Sequence, residues 1–218
     1  MKFVSKFFQT GIINGITNET YICLIPKKYN SLRIKDLRPI SLVTSLYKII
    51  SKVLALRLRE VLGETISKEQ GAFVKGRQIL HVALVANEVV EEYRVSGKEG
   101  VVFKVDFEKA YDHVDWNFLD FALEKKGFET RWRKWIWGCL SSVSYSVLIN
   151  GRPRGKFSGS RGLRQGDHLS PFLFIIVVDV LGRLVDKAII DDAFKGFKVG
   201  KDKVEVSNLQ FADDTFFV

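Results

Sequence analysis

The chain has 218 residues, of which 46% are hydrophobic and 27% charged, a balance typical of a globular protein of one or two domains. Its two cysteines, Cys23 and Cys139, are isolated, which excludes a disulfide framework and a cysteine-based zinc site and predicts two buried, reduced thiols. The longest wholly apolar run, Phe172–Val178, is too short to span a bilayer, and no signal peptide is evident. We therefore predict an intracellular protein with no membrane segment.

The formal net charge of +9 is unevenly distributed along the chain. Residues 1–60 hold eleven Lys or Arg and three Asp or Glu, a net +8, whereas the other 158 residues have a net charge of +1. A basic segment attached to a near-neutral body indicates a polyanion-binding part joined to a core. A basic surface that serves only solubility gives the same count, so both interpretations stay open.

The first hundred residues predict one strand, one basic loop and two long helices. The sequence YICLI (21–25) predicts the strand, and the basic loop that follows continues to Arg38. Ser41 is a candidate N-cap for an amphipathic helix over 42–61, where apolar residues recur at spacings of three and four. Helical periodicity returns over 80–94.

The second half alternates strands and helices, which predicts a mixed α+β architecture. VVFKVDF (101–107) has the β-branched and aromatic composition of a buried strand. Asn150-Gly151 predicts a hairpin turn between two strands, and Ser170-Pro171 begins an almost wholly apolar helix that should be buried. Short strands are predicted over 191–218. The remaining predicted helices cover 116–126 and 130–140.

Two adjacent carboxylates, Asp213 and Asp214, lie between apolar runs in LQFADDTFFV. A continuous strand would direct one of them to its buried face, because neighbouring side chains point to opposite sides. A tight bend that contains both aspartates removes this conflict. The pattern therefore predicts a hairpin, which is either a plain turn or a holder of two carboxylates for a divalent metal such as Mg²⁺.

A third carboxylate, Asp106, ends the apolar strand about a hundred residues earlier. A charge at the edge of a buried strand is costly unless it is paired or ligates a metal. If this strand neighbours the hairpin, three aspartates converge and need cations, as in a two-metal phosphoryl-transfer site. Lys27, Arg38 and the glycine-rich loop at 162–166 would then bind phosphates.

Six segments in order resemble the reverse transcriptases: IPKK, RPIS, QGAFVKGRQ, DFEKAYD, GLRQGDHLSP and FADD. In detail they resemble the LINE-type, non-LTR retrotransposon enzymes, the plant type in particular, with Phe before Ala-Asp-Asp and the segment from Gln70 to Gln78. The resemblance extends from about Thr20 to Val218. Six motifs in the correct order are far more specific than any one of them.

The resemblance implies an α+β fold of right-hand polymerase fingers and palm. Residues 1–100 would form a basic, fingers-like region with part of the palm entry, and 101–218 a palm-like region that carries the aspartates. We expect the chain to be truncated before the thumb, because it ends just after the hairpin. The implied activity is that of an RNA-directed DNA polymerase, a nucleotidyltransferase that extends a DNA primer on an RNA template with dNTPs.

By resemblance, Asp106 and Asp213 would be the main ligands of catalytic Mg²⁺ (Mn²⁺ is possible), with Asp214 beside them. Arg77 would contact template phosphates.

Five further residues would bind the nucleotide by resemblance. Lys27 and Arg38 would hold the triphosphate, and Phe107 would lend it backbone contacts. Gln165 would contact the nucleotide and the template. The ring of Tyr111 would pack under the sugar and clash with a ribose 2′-hydroxyl, which argues against an RNA-dependent RNA polymerase.

One position departs from the family, since His168 stands where RQGxPLSP usually has proline. Loss of this proline frees the loop and would misplace Gln165. The alternative to an active polymerase is a non-catalytic retroelement remnant that at most binds nucleic acid.

Overall fold

The structure is a computed structural model that describes residues 2–31, 33–200 and 203–218. Its architecture is mixed α+β, as predicted. The chain forms two compact units, each made of two segments: unit 1 comprises residues 1–57 and 111–173, and unit 2 comprises 58–110 and 174–218. The predicted boundary at residue 100 between a fingers-like and a palm-like region stays a prediction.

Unit 1 contains a four-stranded sheet with strand order β2-β1-β4-β5. Strand β1 is antiparallel to β2 and parallel to β4, and β4 and β5 form a hairpin. Asn150 and Gly151 connect that hairpin with φ of 50° and 74°, the left-handed conformations that a tight hairpin turn requires, so this prediction is confirmed. The strands are β1 (Glu19–Pro26), β2 (Leu37–Val43), β4 (Ser144–Ile149) and β5 (Arg152–Ser158).

Helices of unit 1 pack around buried tryptophan and aliphatic side chains. Trp135 is 9% exposed and lies edge-on to Phe8, so it is a core residue. Arg133 binds both carboxylate oxygens of Asp120 at 2.9 and 2.6 Å and one of Glu124 at 2.6 Å, which ties two helices together. These helices are α1 (Lys2–Thr10), α4 (Trp116–Lys125), α5 (Thr130–Ser141) and the first part of α2 (Ser45–Thr65).

Unit 2 contains a three-stranded antiparallel sheet with strand order β3-β9-β8 and a separate two-stranded sheet. Tyr93 stacks on Phe197 with ring centroids 3.9 Å apart, and a Cβ on Gly100 would lie 2.2 Å from the Phe197 ring, so only glycine fits there. The elements are α3 (Ile79–Ser96), β3 (Phe103–Asp106), β6 (Phe197–Val199), β7 (Val204–Val206), β8 (Asn208–Phe211), β9 (Asp214–Phe217) and most of α6 (Ser170–Ile190).

Three local predictions are wrong. Strand β2 begins at Leu37, inside the basic loop that was expected to continue to Arg38, and Ser41 lies in that strand. Helix α2 is capped instead by Thr44, whose hydroxyl oxygen accepts from the Tyr47 N–H at 3.2 Å. Cys139 is buried as predicted, but Cys23 is only half-buried, and both thiols are free.

The strand predicted over 101–107 was also expected to be buried, and that expectation is wrong. Strand β3 is an edge strand, and Phe103 is 63% exposed. Asp106 is therefore solvent-exposed, so the cost of a buried charge does not explain its position. The first half of the apolar helix α6 is buried as expected, with Leu173 and Ile175 at most 1% exposed, but its second half is not, since Leu184 is 60% and Ile190 83% exposed. No helix in the described part of the chain is long and apolar enough to cross a membrane.

Candidate active site

The sheet of unit 2 brings Asp106 and Asp214 side by side. Strands β3 and β9 pair antiparallel, with the Cα atoms of Asp106 and Asp214 in register. Residues directly opposite in an antiparallel pair project from the same face of the sheet. The sheet therefore places two carboxylates from distant parts of the sequence on one exposed face.

Asp213 lies in the turn that joins β8 to β9. The turn consists of Ala212 and Asp213, and Ala212 has φ of 53°. Asp214 is the first residue of β9, so the prediction that both aspartates occupy the bend is wrong for Asp214. Because the turn is shorter than predicted, the sheet orients the side chain of Asp214, whereas Asp213 is exposed at the tip of the turn.

Lys104 is a neighbour of all three aspartates, and its role was not predicted from the sequence. It precedes Asp106 by two residues, so both side chains lie on one face of β3. The Lys104 ammonium is 3.0 Å from Asp214 Oδ1. Its hydrogen bond to Asp214 and the charge of that carboxylate raise the pKa of Lys104, and the charges of Asp106 and Asp213 raise it further. The signal was present in the sequence as the two-residue spacing of Lys104 and Asp106.

The oxygen donors of this face suit a divalent metal, but their arrangement does not form a metal site. Three carboxylates supply the oxygen ligands that Mg²⁺ prefers, and the Lys104 ammonium shows that the face already holds a cation. Among the described residues, however, no group of three or more His, Cys, Asp or Glu side chains is arranged to hold a metal ion. The metal-ligand role of Asp106, Asp213 and Asp214 stays a prediction.

We expect Lys104→Met to strengthen Mg²⁺ binding about two- to fivefold, the size of an exposed ion pair, because the ammonium then no longer competes for Asp214. The measurement is the rise in melting temperature as Mg²⁺ is titrated, since a ligand of the folded state stabilises it by mass action. Lys75→Met is the matched control, because Lys75 pairs with Glu60 at 3.5 Å away from the aspartates. Asp213→Asn should weaken the response. An equal response from wild type and Lys104→Met would contradict the competition.

Gln70 holds the turn of the aspartate hairpin in place. Its side-chain oxygen accepts from the backbone N–H of Ala212 at 3.1 Å and of Ala72 at 2.9 Å. The backbone of Gln70 forms a parallel β-bridge with Gln210 of β8, and the Gly71 N–H donates to the Gln210 carbonyl at 2.8 Å. Gln70 is fully buried. No sequence signal for this role exists beyond membership in the QGAFVKGRQ segment.

Arg77, predicted to contact template phosphates, is used within unit 2. Its guanidinium donates to the carbonyls of Ser67, of Gln70 at 2.7 Å and of Ile66 at 3.3 Å. These bonds satisfy backbone groups just after α2 and fix the start of the Gln70 segment. The structure thus gives Arg77 a structural role, and its contact with template phosphates stays a prediction.

Of the five predicted nucleotide-binding residues, Phe107 lies in unit 2 directly after β3 and is half-buried. The other four lie in unit 1. Lys27 follows β1, and its N–H donates to the Asp36 carbonyl at 2.9 Å. Arg38 pairs in register with Ile25 across β1 and β2. Both basic side chains are exposed.

Tyr111 and Gln165 are linked through the backbone of the glycine-rich loop. The Leu163 N–H donates to the Tyr111 carbonyl at 2.7 Å, and the Ser41 N–H donates to the Gln165 carbonyl at 2.8 Å. Tyr111 is half-buried and Gln165 is exposed. The loop thus connects the short helical turn at Tyr111 to strand β2.

The fold is that of a polymerase of the reverse-transcriptase kind. A structure of apo telomerase from Candida tropicalis, truncated from its C-terminal domain, superposes with a TM-score of 0.59 at 15% identity. The match covers 99% of this chain and 47% of that one. It confirms the predicted fold class, an α+β polymerase fold of fingers and palm.

The chain belongs to the family described as reverse transcriptase (RNA-dependent DNA polymerase), which matches residues 25–218. Members of this class act on a nucleic-acid template and primer and use divalent metal ions. The family membership confirms the resemblance of the six sequence segments to reverse transcriptases.

Curated relatives are proteins of non-LTR retrotransposons, as predicted. The chain is 28% identical over its full length to the transposon TX1 uncharacterized 149 kDa protein of Xenopus laevis. It is 30% identical over 193 residues, 88% of this chain, to a retrovirus-related Pol polyprotein from the type-1 retrotransposable element R2 of Popillia japonica. The chain spans 16% and 26% of the lengths of these two relatives. The narrower plant type stays a prediction.

Proposed function

We propose that this chain catalyses RNA-templated DNA synthesis, in which a primer 3′-hydroxyl attacks the α-phosphate of a dNTP and pyrophosphate leaves. The observation that carries this function is the in-register pairing of Asp106 with Asp214 on an exposed sheet face, with Asp213 at the adjoining turn. Such a face suits the chemistry of the family because carboxylates can hold divalent cations against phosphates.

In this proposal Asp106, Asp213 and Asp214 are the catalytic residues and would hold Mg²⁺ or Mn²⁺. When bound, the metal would supply a Lewis acid for the phosphoryl oxygens and would ease deprotonation of the primer hydroxyl. The role of the carboxylates is to offer anionic oxygens from a rigid sheet, where Gln70 fixes the turn and β3 fixes the register. Lys104 would have to leave Asp214 when the metal binds.

The nucleotide contacts belong to the same proposal. Lys27 and Arg38 are exposed cations suited to a triphosphate, with Arg38 able to bind two oxygens at once. Phe107 would add backbone contacts, and Gln165 would contact the nucleotide and template. The Tyr111 ring would exclude a ribose 2′-hydroxyl. As a separate part of the proposal, the protein is intracellular.

Charge division between the units supports nucleic acid as the partner. Unit 1 carries 20 Lys or Arg and 8 Asp or Glu, a net +12, whereas unit 2 carries 14 and 17, a net −3. Within unit 1, residues 130–166 hold eight Lys or Arg and no Asp or Glu. The basic character is therefore a property of all of unit 1, and the count for residues 1–60 captured only part of it.

Strand β5 is the most exposed basic element of this stretch. It is an edge strand, and all seven of its residues are exposed. Arg152 and Arg154 are two residues apart, so they lie on one face and form a row suited to a phosphate backbone.

We expect the double variant Arg152→Ser, Arg154→Ser to weaken RNA binding and to reduce the slope of log K against log salt by roughly 1.5, since each phosphate contact contributes about 0.7 to 0.9. The measurement is a salt titration of RNA binding by fluorescence anisotropy. Lys187→Ser, Lys203→Ser removes the same charge from exposed positions in unit 2 and is the control. An equal loss of slope in both double variants would show that only net charge matters.

Primer extension by the purified 218-residue chain tests the proposed function. The reaction contains an RNA template, a DNA primer, dNTPs and Mg²⁺, with Asp213→Asn as the inactive comparison and ribonucleotides as the alternative substrate. Extension with dNTPs that the variant loses would support the proposal. Salt-sensitive RNA binding without extension would instead identify a chain that binds nucleic acid and does not polymerise, the retroelement remnant.

A further inference from the structure

The tetrapeptide Arg164–Asp167 has two buried charged ends and an exposed middle. Arg164 is 3% exposed and Asp167 is 5% exposed. Gln165 and Gly166 between them are exposed, and Gly166 has φ of 102°, a conformation that disfavours other residues. The Asp167 N–H donates to the Arg164 carbonyl at 3.3 Å, so the four residues form a turn. Burial of both charges therefore fixes a turn whose tip presents Gln165.

Arg164 is held by acceptors from two separate parts of unit 1 and by an aromatic ring from a third. One terminal nitrogen donates to Asn18 Oδ1 at 2.6 Å and to Thr20 Oγ1 at 3.3 Å, and the other donates to the Cys139 carbonyl at 3.0 Å. Its guanidinium carbon lies 3.8 Å from the centroid of the Tyr47 ring. This geometry leaves the first end of the turn little freedom to move.

Asp167 anchors the second end of the turn to the same ring. The Tyr47 hydroxyl donates to Asp167 Oδ2 at 2.9 Å, and Arg164 lies 3.8 Å from that oxygen. Tyr47 is fully buried, and burial raises the pKa of its hydroxyl well above the ordinary value, so it stays a donor. Tyr47 thus contacts both charged ends at once, through its face and through its hydroxyl.

A buried ion pair is a poor source of stability, because desolvation of the two charges offsets their attraction. Such a pair is better suited to specifying one geometry. The geometry specified in this case is the position of Gln165, whose carbonyl also accepts from the Ser41 N–H of strand β2 at 2.8 Å.

We propose that Arg164, Asp167 and Tyr47 form an anchor that positions Gln165 for its contact with the nucleotide and template. These three are positioning residues, since their side chains are buried and act through the turn. This inference rests on the proposed function of Gln165. The anchor also compensates for His168. The loop lacks the proline of the family at this position, and the anchor supplies the rigidity that the proline would give.

Tyr47→Phe tests the anchor with minimal disturbance, because it removes the hydroxyl and keeps the ring beneath Arg164. Tyr21→Phe is the matched control, since the Tyr21 hydroxyl also donates to a carboxylate, that of Glu19, at 3.2 Å in the same unit. Amide hydrogen exchange of the purified chain is the first measurement. The anchor predicts faster exchange at Ser41 and over 162–167 in Tyr47→Phe and unchanged exchange there in Tyr21→Phe. Unchanged exchange in both variants would overturn it.

Steady-state primer extension is the second measurement, and it separates positioning from general stability. Tyr47→Phe should raise the KM for dNTP roughly tenfold, the effect of losing one hydrogen bond to a charged group, with a smaller change in kcat. In a Gln165→Ala background the same change should have no further effect. Additive losses in the double variant would show that Tyr47 does not act through Gln165 and would overturn the proposal.

The two measurements also separate this proposal from the proposed function. If Tyr47→Phe does not fold, Asp167→Asn, which keeps the shape of the side chain, takes its place in both assays. If wild type does not extend a primer, the proposed function fails, and hydrogen exchange at Ser41 still decides whether the anchor holds the turn.

Discussion

Replacing Asp106 by asparagine is expected to reduce primer extension by about 10³-fold or more, because metal-assisted charge stabilisation is worth several kcal/mol and each 1.4 kcal/mol is about tenfold in rate. Asparagine has the size of aspartate but lacks the anionic oxygen. Asp106 faces Asp214 across β3 and β9. Its loss therefore removes one of the two carboxylates that the sheet places side by side.

The fold should survive this substitution, because Asp106 is exposed and ends an edge strand. The measurement is the rate of dNTP incorporation on an RNA template, with the melting temperature recorded on the same sample. Asp191→Asn is the matched control, since Asp191 is an exposed aspartate of the same unit outside the sheet. Retained extension by Asp106→Asn at a normal melting temperature would exclude Asp106 from the catalytic residues.

Gln70→Leu is expected to lower the free energy of unfolding by about 2–6 kcal/mol, because it leaves two backbone N–H groups without an acceptor and each costs roughly 1–3 kcal/mol. Those groups belong to Ala72 and Ala212. Leucine has a similar volume, so a cavity contributes little. Since Ala212 forms the turn beside Asp213, extension should fall as well, even at temperatures where the chain stays folded.

Urea denaturation followed by circular dichroism measures the first effect, and primer extension below the transition measures the second. Gln78→Leu serves as the control, because Gln78 is exposed and precedes α3 without a side-chain capping bond. A variant as stable as wild type would mean that water replaces the amide oxygen. A destabilised variant with wild-type extension would show that the turn does not depend on Gln70.

Local patterns predicted the elements whose conformation depends on neighbouring residues. Asn150-Gly151 forms the expected hairpin because both residues tolerate positive φ. Ser170 begins α6 as expected, and the apolar run in the first half of that helix predicted the burial of that half. Both features are decided within a few residues, so the chain needs no distant partner to specify them.

Strand β2 and the edge position of strand β3 were not predicted from the sequence, for physical reasons. Strand β2 contains Arg38 and Pro39, residues typical of loops, and it becomes a strand because β1 supplies a partner. Strand β3 has the composition of a buried strand, but it lies at the edge of its sheet. Burial depends on what packs against a strand, and composition alone does not identify that neighbour.

The features of the candidate active site also divide into those that the sequence predicted and those that only the tertiary structure shows. Residue types and motif order were sufficient to identify the reverse transcriptase family and to select Asp106, Asp213 and Asp214, because a motif is a property of the chain itself. Three contacts are seen only in the folded molecule. They are the register of Asp106 with Asp214, the ion pair of Lys104 with Asp214, and the hydrogen bond by which Gln70 fixes the turn. Each of these contacts joins residues about a hundred or more positions apart, and such pairings are set by long-range packing, which local sequence does not encode.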